Sequence, residues 1–469
     1  MNIYNYKILC DACDRLIKIK KVSLARISIS LLHVIRPHPT LNNKYEPLFF
    51  LSILNYWIFL FLKFLKNFLK WVLSLFDIFR RSLNKFNNQN IDVFVISHLF
   101  NNNQLKLKND LYFHNLMQVL ENRSFSSKRI FINHSKIKDP IYNDFLMDKV
   151  SLINEIKIRV LQLIEFINLL FLFFFKKKTS KLDKRLILFA AVESLSIDTQ
   201  KNLRIFFFIR NLTFKYSPRI VISTFEGYAY ERMIFRAINS SNKIISAGYQ
   251  HASIFKNQHS IKRDLLDIYN PKIIFTSGKI TLDYFLNYYN KKRVFELGSS
   301  KGFNFKSKEK SNNFLIIPEG YIKEVDVFLK LIIKVSKKNK GFNFIFRFHP
   351  IINKVDIEIR KKQISNYNNI IFSSDTLEND IKKSKYVIYR GSTAIFTAVI
   401  SGLTPIYYDL DKLDINPLYE LKDKIFYLKN DSDFEKISEI PNKDINEIIS
   451  YCKKYYTRFD IKEIVNLLN

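Results

Sequence analysis

Three short stretches in the second half of the sequence combine residue types that bind anions. They are Pro318-Glu319-Gly320, Arg347-Phe348-His349-Pro350 and Arg390-Gly391-Ser392-Thr393. The two arginines can present fork-shaped donors to phosphate oxygens, and a Gly-Ser-Thr sequence that opens a helix leaves backbone N–H groups directed at an anion. The histidine can donate to the same phosphate, and the proline after it stiffens the turn. Each stretch alone is also typical of a turn or a helix N-cap, but together they predict a site for a phosphate-bearing ligand.

A second set of polar residues follows apolar runs earlier in the chain. It consists of Phe225-Glu226-Gly227, Tyr249-Gln250-His251 and Thr276-Ser277-Gly278. The chain has nine glycines, all at or after Gly227, whereas average usage of roughly 7% would give about thirty. We therefore expect glycine mainly where φ is positive or where the backbone approaches another group closely. Because Gly227, Gly320 and Gly391 each stand between an expected strand and an expected helix, the pattern favours two sets of ligand-binding loops.

Short apolar runs alternate with helical patterns from residue 91 onward, which is typical of parallel α/β sheets covered on both faces. The first series covers residues 91–100, 129–133, 185–190, 219–224, 243–251 and 271–278. Residues 293–313 then read as a linker, and the second series covers residues 314–318, 342–348, 369–373, 386–392 and 404–409. We expect two Rossmann-like domains that face each other across a cleft, over residues 91–300 (with an apolar insertion at about 155–180) and 301–469.

Residues 1–90 are expected to form a helical, membrane-associated region. The apolar run 47–62 has sixteen residues, fewer than the roughly 20 needed to span a bilayer. In the stretch that follows, the polar residues share an arc of about 100° on a helix, while Phe, Leu and Trp occupy the rest; they are Lys63, Lys66, Asn67, Lys70, Ser74, Asp77 and Arg81. This pattern predicts a basic amphipathic helix over residues 56–81 that lies in a membrane surface with its lysines at the headgroups.

Two other interpretations of the apolar segments stay open. The helix over residues 56–81 is also typical of a core helix with a narrow polar stripe. A second apolar run, residues 160–178, is too short and too polar at its start to span a bilayer comfortably, and it is expected to dock beside the first helix. A transmembrane hairpin formed by the two runs is the remaining alternative.

The bulk composition limits the classes of partner. With 469 residues, 47% of them hydrophobic, the chain can form two or three domains with sizeable cores. The net charge of +32 indicates an anionic lipid, a nucleic acid or a phosphorylated substrate, or else a biased coding composition. The positive residues are spread along the chain without a recognised nucleic-acid module, so we expect no nucleic acid.

The cysteines and the N-terminus point to a reducing compartment. Three cysteines argue against a disulfide framework, and Cys10 and Cys13 lack a second pair that would complete a zinc site. The first residues contain no uninterrupted apolar core of a secretory signal. We therefore expect a cytoplasmic protein, peripheral to the inner membrane, without a bound metal.

Several motifs resemble those of a known family. FRFHP, followed about forty residues later by YRGSTAIFTAVISGLTPIYYD, is similar to the donor half of GT-B glycosyltransferases that build bacterial capsules and other surface polysaccharides. Among them are sialyltransferases and Kdo transferases, which hold a CMP-sugar with an HP motif and a Ser-Ser/Thr motif. FEGYAYERM and AGYQHASI resemble stretches of surface-carbohydrate biosynthesis transferases. An acidic D/E-D/E-G motif of the family is matched only in Glu226 and Gly227, because Phe225 replaces its first acid. The resemblance covers about residues 185–430.

The resemblance implies a GT-B fold and a metal-independent glycosyltransferase without a cofactor. Its donor would be a nucleotide-sugar, with a CMP-sugar of Kdo or sialic acid favoured, and its acceptor a surface polysaccharide or a lipid-linked glycan. The donor side would consist of Arg347, His349, Pro350, Arg390, Gly391, Ser392, Thr393, Gly320 and Glu319, the last of these contacting ribose or sugar hydroxyls.

The same resemblance implies roles for the acidic residues of the first domain. Glu226 would be the catalytic base, and Glu231 a second catalytic residue that orients it or holds the acceptor, with Gly227, Gln250 and His251 on the acceptor side. Glu226 is equally well explained as a carboxylate that caps its own helix. A CDP-polyol phosphotransferase or nucleotide-sugar epimerase of the same fold is an alternative, and a non-catalytic, basic membrane-binding protein is an alternative of another class.

Overall fold

The computed structural model places the chain in two parallel sheets with helices on both sides. The described residues are 2–19, 23–76, 90–100, 104, 109–134, 145–147, 150–176, 179–263, 265–299, 301, 312–364, 366–410, 413–439 and 444–469. Most of the predicted linker lies outside them, as does the end of the predicted helix over residues 56–81, including Asp77 and Arg81.

The N-terminal region is helical, and its helices pack on the first sheet domain. They are α1 (Ile3–Lys18), α2 (Leu24–Ile27), α3 (Thr40–Phe50) and α4 (Ile53–Phe76). Buried side chains such as Leu9 and Leu60 belong to the same hydrophobic core as Val221 and Phe235 of the first sheet domain. The N-terminal helices and the first sheet are therefore held together by one continuous apolar interior.

The first sheet has seven parallel strands in the order β3-β2-β1-β4-β5-β6-β7. The strands are β1 (Val93–Leu99), β2 (Ser127–Asn133), β3 (Phe145–Leu146), β4 (Ile220–Thr224), β5 (Ile245–Gln250), β6 (Ile273–Thr276) and β7 (Val294–Glu296). The helices of this part are α5 (Leu116–Glu121), α6 (Leu152–Phe175), α7 (Lys181–Ser194), α8 (Ile197–Tyr216), α9 (Ala229–Ile238) and α10 (Lys279–Leu286). All residues of β1 and β4 are buried, as expected for strands covered on both faces.

The second sheet has six parallel strands in the order β10-β9-β8-β11-β12-β13. They are β8 (Asn313–Ile317), β9 (Asn343–Phe346), β10 (Ile370–Phe372), β11 (Tyr386–Tyr389), β12 (Thr404–Tyr408) and β13 (Phe426–Leu428). The helices are α11 (Ile322–Lys338), α12 (Lys354–Gln363), α13 (Leu377–Lys382), α14 (Ala394–Ile400), α15 (Ile445–Tyr455) and α16 (Lys462–Leu468). Helix α16 packs with Val93 and Val95 of the first sheet, so the chain returns to the first domain at its end.

Both sheets carry the strand order of a Rossmann fold, 3-2-1-4-5-6, with one more strand at the edge of the first. The predicted fold class, an α/β chain with two Rossmann-like domains, is confirmed. One element differs: residues 185–190, an apolar run in the predicted alternation, lie in α7, whose N-cap Ser180 accepts a hydrogen bond from the N–H of Asp183. A short apolar run does not by itself distinguish a buried strand from a buried helix.

Helix α4 turns its polar stripe toward the protein. The ammonium group of Lys63 pairs with Glu193 of α7 at 2.9 Å, the amide of Asn67 donates to the carbonyl of Val192 at 3.1 Å, and Ser74 is buried. The apolar side of the same helix is exposed. The interpretation as a core helix with a wet polar stripe is therefore wrong, because the buried and exposed sides are the reverse of that arrangement.

Candidate functional site

The register of the second sheet brings three predicted residues to one level. Strand β8 pairs with β9 so that Ile316 is opposite Phe346, and with β11 so that Ile317 is opposite Tyr389. Continuing each strand by two or three residues aligns Glu319 with His349 and with Gly391. Since β8 and β11 flank the point where the strand order reverses, these residues lie where Rossmann-like sheets bind ligands.

A cavity of about 340 Å³ opens at this edge of the sheet. Eight of the predicted donor-side residues line it, namely Glu319, Gly320, Arg347, His349, Pro350, Gly391, Ser392 and Thr393. The ninth, Arg390, is buried beneath them, with its Nη1 atom 3.8 Å from a carboxylate oxygen of Glu324. The residues that the sequence singled out for an anion are thus gathered around one cavity or directly under it.

His349 and Thr393 present free hydrogen-bonding groups to the cavity. The Nδ1 atom of His349 accepts from the N–H of Ile351 at 3.3 Å, so the ring proton of the neutral histidine is on Nε2. Burial lowers the pKa of His349, although Glu319 opposes that shift, and the neutral form is favoured. Thr393 precedes helix α14 but makes no side-chain cap hydrogen bond, contrary to the expected cap, and its hydroxyl remains available to a ligand.

Glu319 is held by Arg36 and His38 from the N-terminal region. The Nη2 atom of Arg36 donates to Oε2 of Glu319 at 3.1 Å, and Nε2 of His38 hydrogen-bonds to the same oxygen. Burial would raise the pKa of Glu319, but the charge of Arg36 and the hydrogen bond from His38 lower it below its ordinary value. A Cβ atom at position 391 would overlap Oε1 of Glu319, so Gly391 leaves the space that this carboxylate occupies.

Arg347 is positioned by the helix that follows the next strand. Its Nη1 atom donates to Oδ2 of Asp380 at 2.8 Å and to the carbonyl of Asp375 at 2.6 Å. Asp380 is buried and also accepts from the hydroxyl of Ser373. This network fixes the guanidinium group at the cavity wall, where its remaining N–H groups can serve a ligand.

On the other side of the cleft the register of the first sheet places Glu226 next to His251. Strands β4 and β5 pair Thr224 with Tyr249, and two residues further the Oε1 atom of Glu226 is 3.3 Å from Nε2 of His251. Burial raises the pKa of Glu226, and the charges of Arg36 and Lys301 partly offset this rise. Glu226 is thus a partly buried carboxylate with an elevated pKa, which is the property required of a general base near neutral pH.

Lys301 and His251 complete the surroundings of Glu226. The ammonium group of Lys301 donates to the carbonyl of His251 at 3.1 Å, and burial lowers the pKa of Lys301 to about 8. Burial and the charge of Lys301 also lower the pKa of His251, whose ring packs edge-on against Tyr112. The histidine beside Glu226 is therefore neutral at neutral pH.

Three predicted residues of the first domain are engaged in its own loops instead. The carboxylate of Glu231 is fully buried, and its Oε2 atom accepts from the backbone N–H groups of Glu226, Gly227 and Tyr228 at 2.8, 2.7 and 2.9 Å. Gly227 has φ of +92°, and a Cβ there would collide with the backbone of Ser260, so its glycine serves the turn. Glu231 therefore holds the loop that carries Glu226, in keeping with the expectation that it orients this residue, while its role in catalysis and the acceptor-side role of Gly227 stay predictions.

Gln250 is also withdrawn from the cleft. It is buried, its Nε2 atom donates to the carbonyl of Ala252, and its Oε1 atom accepts from the hydroxyl of Ser277 at 3.3 Å. The amide therefore ties together the loops that follow β5 and β6. Of the predicted catalytic and acceptor-side residues, Glu226 and His251 are the two that meet at this strand end.

Arg36 and His38 were not among the residues predicted from the sequence. Both come from the segment between α2 and α3, and Arg36 stacks on the ring of Phe255 with its Cζ 3.9 Å from the ring centroid. A signal was present in Arg36-Pro37-His38-Pro39, because prolines at alternate positions forbid a helix and hold the intervening side chains in an extended segment. Among the described residues, no group of three His, Cys, Asp or Glu side chains is placed to hold a metal ion.

Two Rossmann-like domains with a polar cleft at their strand ends define a GT-B-like fold. No protein-family model matches the chain, and no curated protein matches it in sequence. Among solved structures, the chain is similar to the UDP-GlcNAc 2-epimerase from Neisseria meningitidis bound to UDP-GlcNAc, with a TM-score of 0.48, 11% identity, and coverage of 80% of this chain and 98% of that chain.

Two further solved structures show a comparable similarity. The UDP-GlcNAc 2-epimerase from Methanocaldococcus jannaschii in complex with UDP-GlcNAc and UDP has a TM-score of 0.48 and 11% identity, over 80% of this chain and 99% of that chain. The glycotransferase of kitacinnamycin has a TM-score of 0.46 and 8% identity, over 78% of this chain and 95% of that chain. Similarity at this level shows the fold alone and does not identify the ligand or the reaction.

Proposed function

We propose that the protein transfers a sugar from a nucleotide-activated donor to a hydroxyl group of a glycan acceptor. One observation carries this proposal: Arg36 donates to Glu319 at one strand-end site and stacks on Phe255 of the first domain, and its charge lowers the pKa of Glu226 at the other site. An anion site and a candidate base are thus joined through one cationic side chain. Such an arrangement suits a reaction in which a phosphate leaves on one side while a hydroxyl is deprotonated on the other.

On the donor side, the cavity would hold the phosphate of the nucleotide. The Nη1 atom of Arg36 is buried and has no hydrogen-bond partner among the described residues, so a phosphate oxygen would supply one. The Nε2–H group of His349 and the hydroxyls of Ser392 and Thr393 line the same cavity. As the bond between the sugar and the phosphate oxygen breaks, these donors stabilise the negative charge on the departing nucleotide. Glu319 would accept hydrogen bonds from ribose or sugar hydroxyls.

On the acceptor side, Glu226 would take the proton of the attacking hydroxyl. The hydroxyl oxygen forms the new bond to the anomeric carbon, the nucleotide leaves with the electron pair of the old bond, and the proton passes to the carboxylate and then to solvent. Because burial raises the pKa of Glu226, the carboxylate is a stronger base than an exposed one. His251, neutral and 3.3 Å away, would orient the carboxylate or the acceptor.

The finer identity of the substrates rests on the resemblance of FRFHP and YRGSTAIF to CMP-sugar transferases. We therefore propose a CMP-sugar of Kdo or sialic acid as the donor, and a surface polysaccharide or lipid-linked glycan as the acceptor. A phosphotransferase that uses a CDP-polyol and a nucleotide-sugar epimerase would need the same phosphate cavity. The experiment must therefore distinguish the nucleotide and the reaction separately.

The nucleotide is tested by thermal unfolding with CMP, CDP, UDP, GDP and ADP, in the wild type, in His349→Ala and in the control Val355→Ala. Val355 is exposed on α12 and does not line the cavity. We expect CMP to raise the Tm of the wild type and of the control but not of His349→Ala. Stabilisation by another nucleotide would keep the site and overturn the CMP donor, and an unchanged Tm with all five would contradict the proposal. Incubation with a nucleotide-sugar alone then detects epimerisation.

A further inference from the structure

Helix α6 has its polar residues inside the protein and its apolar residues outside. The buried positions include Glu155, Arg159, Gln162 and Glu165, whose spacing of four, three and three residues places them on one side of the helix. The exposed positions include Ile153, Ile156, Val160, Leu163, Ile167 and Phe171. A helix on the surface of a water-soluble protein has the opposite arrangement, with its apolar side facing the core.

Specific ion pairs fix this orientation of α6. Glu155 pairs with Arg159 of the same helix and with Arg204 of α8 at 2.6 Å. Near the middle of the helix Glu165 pairs with Arg26 of α2 at 2.7 Å. Removing one partner of a buried ion pair is strongly destabilising, so the helix cannot rotate to hide its apolar side. The exposed apolar side is therefore a property of the folded state.

Helix α4 is arranged in the same way and lies antiparallel to α6. Its polar side contacts α7 through Lys63, whereas its opposite side exposes Trp57, Phe61, Leu65, Phe68, Leu69 and Leu73. The ring of Trp57 meets Phe173 at 6.4 Å, and the ring of Phe64 stacks on Phe166 at 5.8 Å. The two helices thus form one continuous apolar surface, which we name the α4/α6 face.

The charges around the α4/α6 face indicate what covers it. Lys157 is exposed on the outward side of α6 and Lys176 follows its last turn, whereas Lys66 and Lys70 of α4 line a pocket with Glu193 and Asp198 on the polar side of that helix. Basic side chains beside an apolar surface complement the anionic headgroups and the hydrocarbon of a lipid leaflet. A second copy of this chain would instead bring the same basic groups toward one another. A contiguous apolar surface of two long helices also exceeds what soluble monomers ordinarily expose.

The contacts of both helices also determine their orientation in a membrane. By length and composition, α6 is the one helix among the described residues that could cross a bilayer. However, polar contacts with the protein body recur along it, from Glu155 near its start to Glu165, and α4 contacts α7 from Tyr56 to Asn67. A crossing orientation would draw α7 and α8, with their charged residues, into the hydrocarbon. The helices therefore fit a position parallel to the membrane plane.

We propose that the α4/α6 face inserts into one leaflet of an anionic phospholipid bilayer, with both helix axes parallel to the surface. Lys157 and Lys176 contact the headgroups, and the polar sides of the helices remain turned toward the protein. This inference goes beyond the proposed function and does not depend on it, because none of the cleft residues belongs to the face. It replaces the sequence-based expectation that the polar stripe of α4 itself meets the headgroups.

The first test is flotation of the full chain with vesicles of phosphatidylcholine and phosphatidylglycerol. Leu69→Glu on α4 and Phe171→Glu on α6 place a charge in the face, and Val355→Glu places the same charge on exposed α12. We expect the vesicle-bound fraction of each face variant to require about tenfold more lipid, with Val355→Glu and the cleft variant His349→Ala unchanged. Binding of the wild type should persist at high salt, because burial of apolar surface contributes most of it.

The second test measures depth with the two tryptophans of the chain, Trp57 and Trp71, which both lie in α4. Fourteen residues separate them, which is about 21 Å along a helix axis. In the single-tryptophan variants Trp57→Phe and Trp71→Phe, lipids brominated at different positions along the acyl chain should quench the remaining tryptophan at the same depth. Depths that differ by most of that distance would overturn the parallel orientation.

Self-association is the outcome that would overturn the proposal altogether. If the wild type fails to float with vesicles and light scattering shows a dimer that Leu69→Glu and Phe171→Glu dissociate, the α4/α6 face is an interface between two copies of the chain. Wild-type flotation that the two face variants do not weaken would equally exclude this face as the membrane contact.

Discussion

The two Rossmann-like domains contain the same six-residue pattern at a strand end, and they use it differently. EGYAYE follows β4 and EGYIKE follows β8, so that Glu226 corresponds to Glu319 and Glu231 to Glu324. In each copy the second acid accepts a hydrogen bond from the backbone N–H of the first, at 2.8 Å in the first domain and 3.4 Å in the second. The local pattern therefore folds similarly in both places.

The two copies differ in the other hydrogen-bond and ion-pair partners of their acids. Glu231 gathers three backbone N–H groups, and this closes its loop on itself. Glu324 accepts one longer hydrogen bond and lies near Arg390, while Glu319 is held by Arg36 from a distant part of the chain. An acid beside a glycine at a strand end can thus serve its own loop or a ligand, and partners distant in sequence decide which.

The largest effect is expected on kcat, from substitution of Glu226, the first acid of EGYAYE. Glu226→Gln removes the proposed base while keeping the size of the side chain, so kcat for sugar transfer should fall by about 10²–10⁴-fold. Nucleotide affinity and the midpoint of urea unfolding should stay close to those of the wild type, because the donor cavity is untouched. A kcat within a factor of three of the wild type would remove Glu226 from the mechanism.

The second acids should differ in their contribution to stability. Glu231→Ala leaves three backbone N–H groups without their acceptor, and we expect the free energy of unfolding to fall by about 3 kcal/mol. Glu324→Gln keeps an acceptor for its one long hydrogen bond and the contact with buried Arg390, and because burial raises the pKa of Glu324 to about 7, it should cost only about 1 kcal/mol. Urea unfolding followed by circular dichroism measures both values. If both variants lose the same free energy of unfolding, the second acid stabilises its loop equally in the two domains.

A substitution at Gly391 tests whether nucleotide binding needs the space that Glu319 occupies in the second domain. A methyl group in Gly391→Ala would overlap the carboxylate, whereas Gly341→Ala is a matched control because nothing lies within 4 Å of a Cβ there. Displacing Glu319 should weaken nucleotide binding by about thirtyfold in titration calorimetry. The control should bind like the wild type. If both variants bind equally well, the cavity tolerates a displaced Glu319.

The pH dependence of transfer tests whether Arg36 links Glu319 in the second domain to Glu226 in the first. Transfer needs Glu226 deprotonated, so kcat/KM should fall as pH drops below the pKa of that carboxyl. The positive charge of Arg36 lowers this pKa, and Arg36→Ala should therefore move the acidic limb of the pH profile to higher pH. Arg347→Ala, whose guanidinium is paired with Asp380, should weaken donor binding by about tenfold without moving the limb.

The sequence predicted much of the fold because the strands are short, buried and bounded by turn residues. It also predicted which residues surround the cavity of the second domain, since strand register alone aligns Glu319, His349 and Gly391 once the sheet order is known. It placed residues 185–190 in the strand series because this part of α7 is buried on all sides and shows no amphipathic period. Local sequence pattern was therefore enough to predict the strands and the residues at their ends, whose positions are set by pairing between neighbouring strands.

What the sequence did not predict depends on contacts between distant segments. Nothing near Arg36 indicates that it reaches Glu319, which lies 283 residues further along the chain. In the same way, the spacing of polar residues in α4 defines a stripe but does not say whether protein or solvent covers it. The pairing of Lys63 with Glu193 answers that question, and such pairing appears only in the folded structure.

The smallest effects are expected from two threonines that each precede a helix of the second domain. The hydroxyl of one is available to a ligand, and the hydroxyl of the other caps its helix. Thr393 makes no cap hydrogen bond before α14, whereas the hydroxyl of Thr376 accepts from the N–H of Asn379 at 3.2 Å at the start of α13. Thr393→Val should weaken nucleotide binding about fivefold without loss of stability. Thr376→Val should lower the free energy of unfolding by about 1 kcal/mol and leave binding unchanged. If Thr393→Val instead lowers stability and leaves nucleotide binding unchanged, Thr393 has a structural role. Arg36 and His349 would then be the main hydrogen-bond donors to the phosphate.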